Sequence, residues 1–156
     1  MARFSAIIVV SMCVGFVLAA PPKDEGKKSM QLGNFSVSLT VKDIKASKQF
    51  YEKLGLSQIA GELEQKWVVL QNSSTTIGIF QGMIKKNSLT FNPGWNERAE
   101  TLETFEDVRD LQKRLQADGI ELTTSTDPEG TGPAHISFVD PDGNPILIDQ
   151  HVAKPQ

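Results

Sequence analysis

The sequence predicts an α+β domain made of one supersecondary module used twice, with a cleft between the two copies. Three observations lead there. First, Val41-Lys42-Asp43-Ile44 returns 64 residues later as Phe105-Glu106-Asp107-Val108, and Ser47/Leu111, Tyr51/Leu115, Gly55/Gly119 and Leu56/Ile120 fall in the same register. Second, each copy reads as strand, aspartate cap, amphipathic helix, glycine stop and strand. Third, Phe138-Val139-Asp140-Pro141-Asp142-Gly143-Asn144-Pro145-Ile146 reads as a tight hairpin between apolar strands. Two modules of this kind build one small-molecule site between them by default.

The N-terminus has a different character. Arg3 precedes an apolar run from Ile7 to Ala20, followed by Pro21-Pro22 and the charged Lys23-Asp24-Glu25. One positive charge, a short apolar core and small residues at its end describe a secretory signal peptide, residues 1–19, cut after Ala19. The run is shorter than the ~20 apolar residues a comfortable span needs, so no stable membrane span is expected after cleavage; a retained anchor is the alternative. Val10-Ser11-Met12 before Cys13 is a poor lipobox. The expected location is outside the cytoplasm, periplasmic or extracellular. Cys13 is the only cysteine, so the mature chain would hold no disulfide and no thiolate. The formal charge of −3 becomes −4 once Arg3 is lost, which argues against nucleic acid as a partner. Residues 20–33 are polar and rich in lysine, glycine and proline, and read as a disordered leader. Residues 34–152 suit one domain: module one about 34–82, a linker about 83–98 and module two about 99–152.

Asn34 to Val41 alternates, with Val37, Leu39 and Val41 on one face and Ser36, Ser38 and Thr40 on the other. Asp43 caps a helix to about Leu54, with Ile44, Phe50, Tyr51 and Leu54 available to its buried side, and Gly55 stops it. Leu56–Ala60 reads as a short strand. Lys66–Gln71 and Thr76–Gln81 read as a hairpin around Asn72-Ser73-Ser74-Thr75. Gly82 to Arg98 is a long connection containing the turn Asn92-Pro93-Gly94. The second module then runs as strand Glu100–Phe105, helix Asp107–Asp118, stop at Gly119, strand Ile120–Thr124 and loop Asp127–Pro133. Strands His135–Val139 and Ile146–Gln150 close it. Setting Val139 opposite Pro145 pairs Phe138 with Ile146 and Ile136 with Ile148, one continuous apolar face. The other face pairs Ser137 with Leu147 and His135 with Asp149. Curved sheets meeting through the polar faces would enclose the cleft.

Leu39-Thr40-Val41-Lys42-Asp43-Ile44 with the helix through Leu56 resembles the opening of the vicinal oxygen chelate superfamily, and Phe138–Gln150 resembles its closing hairpin. That group includes glyoxalase, bleomycin and fosfomycin resistance proteins and extradiol dioxygenases. The resemblance spans about residues 34–152 and implies two βαβββ-type modules forming a U-shaped, mixed-sheet cleft. Metal enzymes of the family take ligands from both modules. Carried over, those positions fall on Ser36, on Ile79 or Gln81, on Glu100 and on Leu147. Serine is a poor ligand for a divalent metal and leucine is none, so no metal site and no cofactor are expected. Without the metal, the glyoxalase reaction loses its electrophile.

Other residues compete for the role. His135 and Asp149, opposed across the hairpin, could form an acid–base dyad, against the alternative of an ordinary cross-strand pair. Glu100 completes the catalytic candidates. Ser36, Ser38, Thr40, Gln81, Trp95, Ser137 and Leu147 are the candidate ligand-binding residues. Trp95 follows a Pro-Gly turn on a long loop, where functional residues concentrate. Trp67, Phe80, Phe91 and Trp95 could stack a planar ligand, with core packing the favoured reading for Trp67 and Phe80, and His151 reads as an exposed residue near the C-terminus. The leading expectation is an exported, metal-independent binder of a small organic molecule. A lyase or isomerase with a non-standard metal or acid–base site, and a non-catalytic homodimeric interaction module, are the alternatives.

Overall fold

A computed structural model describes residues 28–156 apart from Ser74. The expected signal peptide and the first part of the expected leader lie outside the described residues. Among the described residues, seven strands form one open mixed sheet flanked by two helices. They are β1 Asn34–Val41, β2 Ser57–Glu62, β3 Trp67–Asn72, β4 Thr75–Gln81, β5 Ser88–Asn92, β6 Ala134–Val139 and β7 Pro145–Gln150. Helix α1 is Ile44–Glu52 and helix α2 is Val108–Ala117, and a 3-10 turn at Leu63–Gln65 separates β2 from β3. The spatial order is β2-β3-β4-β1-β5-β7-β6. The α+β double module stands, but its halves join edge to edge into one sheet through β1 and β5.

Both helix starts follow from their aspartates. Asp43 accepts from the Lys45 and Ala46 amides at 2.9 and 3.1 Å, and Asp107 from the Arg109 amide at 2.9 Å. A second device repeats with them. Gln81, at the end of β4, accepts the Ile44 amide at 3.0 Å, and Gln150, at the end of β7, accepts the Val108 amide at 2.7 Å. Each glutamine ties the last strand of its module to the first turn of its helix, satisfying an amide the helix cannot pair internally.

Each module has its own core. In the first, Ile44 and Leu56 meet Val68, Leu70 and Ile79. In the second, Val108, Leu111 and Leu115 meet Ile136, Phe138 and Ile148. Val68 opposes Ile79, and Ile136 opposes Ile148, in the two matching hairpins. Burying each such side chain stabilises by about 1.5–3 kcal/mol. The β6–β7 register is the expected one throughout, from Ala134 opposite Gln150 to Val139 opposite Pro145.

The helix α1 stripe is narrower than expected. Phe50 and Leu54 are 58% and 59% exposed. A helix advances 100° per residue, so Tyr51, seven residues on, shares the face of Ile44, whereas Phe50 lies off it. Leu54 falls beyond the helical span.

Two predicted strands are not formed. Glu100–Phe105 contributes only a bridge from Thr101 to Trp95, and Ile120–Thr124 only one from Thr124 to Ser137. The strand that pairs with both β1 and β7 is β5, inside the expected linker. Its pattern is legible in retrospect. Read backwards, Asn34-Phe35-Ser36-Val37-Ser38 matches Ser88-Leu89-Thr90-Phe91-Asn92 in character, and the antiparallel register sets like against like: Asn34 on Asn92, Phe35 on Phe91, Ser36 on Thr90.

The packed chain begins upstream of Asn34. Met30 and Leu32 lie against the second core, Gln31 donates its amide to Glu106 at 3.0 Å, and Arg114 bonds both Glu106 and the Lys28 carbonyl. In α2, Arg109 is buried but fully engaged, reaching Asp107 at 3.2 Å, the Asp127 carbonyl at 3.2 Å and the Gly132 carbonyl at 2.8 Å. It anchors the 127–132 loop to the second core. No helix among the described residues is long and apolar enough to cross a membrane.

Candidate functional site

The small polar face of β1 is half of a cleft floor, and the matching face of β5 is the other half. Both strands alternate, so their apolar residues point to the helix side and Ser36, Ser38, Thr90 and Asn92 point together. All four are buried. They bond to one another: Ser38 and Thr90 hydroxyls lie 2.9 Å apart, and the Ser36 hydroxyl donates to Asn92 Oδ1 at 3.4 Å. Asn34 donates to the Thr76 hydroxyl at 3.3 Å, and the Asn92 amide donates to the Asp149 carbonyl at 3.1 Å. The floor is a closed polar ladder, and no buried side-chain nitrogen or oxygen among the described residues is without a partner.

Above this floor is a cavity of about 270 Å³. Its walls are aromatic and apolar: Trp67 and Phe80 from the first module, Trp95 from the connection after β5, and Leu147 from β7. Asp149 and His151 supply its ionisable groups. A neighbouring lobe of about 340 Å³ shares Trp67, Trp95 and His151 and adds Arg98.

Trp95 is held firmly. Its amide donates to the Asn92 carbonyl at 3.2 Å, and its carbonyl accepts the Asn34 amide at 3.0 Å. Gly94 makes the turn with φ +87°, and a β-carbon there would meet Val152 Cγ2 at 2.4 Å. Downstream, Asn96 Oδ1 accepts the Arg98 and Glu100 amides at 2.9 and 3.0 Å, closing the 96–100 turn. The indole stacks on the His151 imidazole, with centroids 4.4 Å apart and planes 12° from parallel. His151 Nε2 lies 3.4 Å from Asp149 Oδ2.

The structure thus sorts the sequence candidates. Ser36, Ser38, Trp95, Leu147 and Asp149 line the cavity together. Thr40 is exposed, and its amide donates to Asn87 Oδ1 at 3.0 Å. Gln81 spends its side-chain oxygen on the start of α1. Glu100 is exposed and accepts from Asn96 at 2.8 Å, within its own turn. Ser137 lies along a separate open groove with Met83, Ile84, Lys85 and Lys86. His135 does oppose Asp149 in register, but it is exposed and outside the cavity, and the imidazole beside the Asp149 carboxylate is that of His151. Trp67 and Phe80, expected in the core, are wall residues. Thr90 and Asn92 escaped notice because their strand did. His151 was legible only as a terminal residue, since its contact with Trp95 spans 56 positions.

Comparison with known proteins agrees with this geometry. The family model for the Glyoxalase/Bleomycin resistance protein/Dioxygenase superfamily matches residues 35–148. The chain belongs to this superfamily. Similar solved structures include an NAD-dependent benzaldehyde dehydrogenase from Legionella pneumophila, with TM-score 0.56, 18% identity, and coverage of 75% of this chain and 98% of that one. Methylmalonyl-CoA epimerase from Mycobacterium tuberculosis gives TM-score 0.55 and 15% identity, over 81% of this chain and 94% of that one. A superfamily member from Vibrio splendidus 12B01 gives 0.52 and 16%, over 75% and 97%. At these identities the likeness is one of fold. Among curated proteins, none matches the sequence significantly.

Some enzymes of this superfamily use a metal held by side chains of both modules. The floor offers hydroxyls and amides already bonded to each other, and the rim offers one carboxylate and one imidazole. A divalent metal needs three or four convergent nitrogen or oxygen donors, several of them His, Asp or Glu. Among the described residues, no group of three or more His, Cys, Asp or Glu is placed to hold one. The residues present do not fit a family-type metal centre.

Proposed function

We propose that this protein binds a small organic molecule with a flat ring in the cleft between its two modules, without a metal. One observation carries this reading: Trp67, Phe80 and Trp95 wall a cavity whose polar floor is already internally bonded. A satisfied floor asks for few new hydrogen bonds, and flat aromatic walls favour offset stacking, so affinity comes from the walls. The lyase reading loses support because Glu100 and His135 lie outside the cavity. We further propose that the protein works after export, with residues 1–19 removed; the mass of the chain recovered from its native host tests this.

The binding test uses the two tryptophans of the chain, Trp67 and Trp95, which both line the cavity. Native protein is titrated with a panel of small aromatic compounds while tryptophan emission is followed. Saturable quenching whose midpoint Trp95→Ala raises at least about fivefold is the expected result. No saturable response to any compound up to millimolar concentration would overturn the proposal.

A further inference from the structure

His151 makes contacts that resemble those of a bound ligand. Its ring lies parallel to the Trp95 indole at 4.4 Å, and its Nε2 lies 3.4 Å from the Asp149 carboxylate. The two partners are fixed. Trp95 is pinned by backbone bonds to Asn92 and Asn34, and Asp149 sits within β7, its carbonyl held by Asn92. His151 is the movable member. It follows the last strand, and its side chain is 44% exposed. The segment after it stays anchored, because Gln150 donates to the Val152 carbonyl at 3.1 Å and the Lys154 amide donates to the Thr131 carbonyl at 2.8 Å. The imidazole can therefore leave by side-chain rotation alone.

We infer that the Trp95–Asp149 corner is a subsite for a flat nitrogen heteroaromatic ring carrying an N–H, and that His151 occupies this subsite until such a ligand displaces it. This deepens the proposed function and rests on it. Stacking on the indole selects a planar ring, and the carboxylate selects a ring donor aimed along its edge, more strongly still if the ring is cationic. An aromatic carboxylate is disfavoured at this corner, because it would bring its charge against Asp149, and Arg98 lines the neighbouring lobe rather than this cavity.

A resident side chain lowers apparent affinity by the fraction of time it fills the site, so removing it should tighten binding. The experiment is calorimetric titration of native protein, His151→Ala, and His151→Ala/Asp149→Asn with benzimidazole and with benzoate, with melting temperatures taken on each variant to verify folding. His151→Ala should bind benzimidazole about tenfold more tightly than native protein, and adding Asp149→Asn should remove most of that gain. Benzoate should bind neither native protein nor His151→Ala measurably. The inference is overturned if His151→Ala leaves benzimidazole binding unchanged or weaker, or if benzoate binds equally well. Trp95-dependent benzoate binding would sink the heteroaromatic subsite while leaving the cleft as a binding site. Failure of both probes on folded protein also overturns the subsite, and the cleft reading is then decided by its own fluorescence panel.

Discussion

The imidazole of His151 lies flat against the indole of Trp95, 12° from parallel, although one follows the last strand and the other belongs to the connection between the modules. The contact joins the C-terminal segment to the wall of the cleft, above a floor contributed equally by β1 and β5. It makes Trp95 the residue on which the proposed function most depends.

Trp95→Ala should weaken ligand binding at least about fivefold, consistent with the loss of one stacking surface. Folding stability should change by less than about 2 kcal/mol, since the ring is part of a cavity wall and not of either core. Titration and thermal unfolding of the same variant check both parts.

Asn96→Ala should loosen the wall without touching the ligand. The Asn96 side chain closes its turn by accepting two backbone amides. Their loss should cost about 1 kcal/mol and raise the dissociation constant. Amide hydrogen exchange should show faster exchange at Arg98 and Glu100 than in native protein.

Gln81→Ala and Gln150→Ala remove corresponding contacts with different expected costs. Gln81 is half-buried and accepts one amide. Gln150 is fully buried, accepts the Val108 amide, and donates to Asp107 at 2.9 Å and to the Val152 carbonyl at 3.1 Å. The first should cost about 1 kcal/mol. The second should cost about 2–3 kcal/mol, because it leaves buried groups unpaired. Denaturant unfolding of the pair gives the comparison directly.

Acid should weaken the second module through Asp107. Burial pushes its carboxyl upward, but hydrogen bonds from Gln150 and Arg109 and the Arg109 charge outweigh burial and hold it below the ordinary 3.8. A carboxylate depressed by folding contributes stability that is complete above its unfolded value and is lost as pH falls through its folded value. The contribution should therefore be intact at neutral pH and disappear below about pH 3.8. Asp107→Asn should flatten the acid limb of a stability–pH profile, and an unchanged limb would refute the assignment.

Local chemistry made much of this fold readable. Asp43 and Asp107 announce helix starts because a short acceptor satisfies amides only one turn away. The β6–β7 hairpin could be paired residue by residue, because a tight turn and an apolar face allow one register. What resisted was non-local. In β5, Ser88, Thr90 and Asn92 alternate with Leu89 and Phe91, a pattern too short and too polar to stand out until β1 is placed beside it. The repeat also misled, since its register across the helices pointed to Glu100–Phe105 as the strand. A longer connection between β5 and α2 displaces the true counterpart upstream.

The same division holds for the site. Residue chemistry and local pattern carry the double module, the superfamily, the small polar side chains on β1, and the place of Trp95 on a loop after a Pro-Gly turn. Each depends on contacts within one module or on residue chemistry alone. Only the tertiary structure decided that the modules join through β1 and β5, that Trp67 and Phe80 face the cleft, and that Asp149 meets His151 rather than His135. Those outcomes depend on which strand edges pair and how a terminal segment packs. Such contacts link residues far apart in the chain, and local pattern does not encode them.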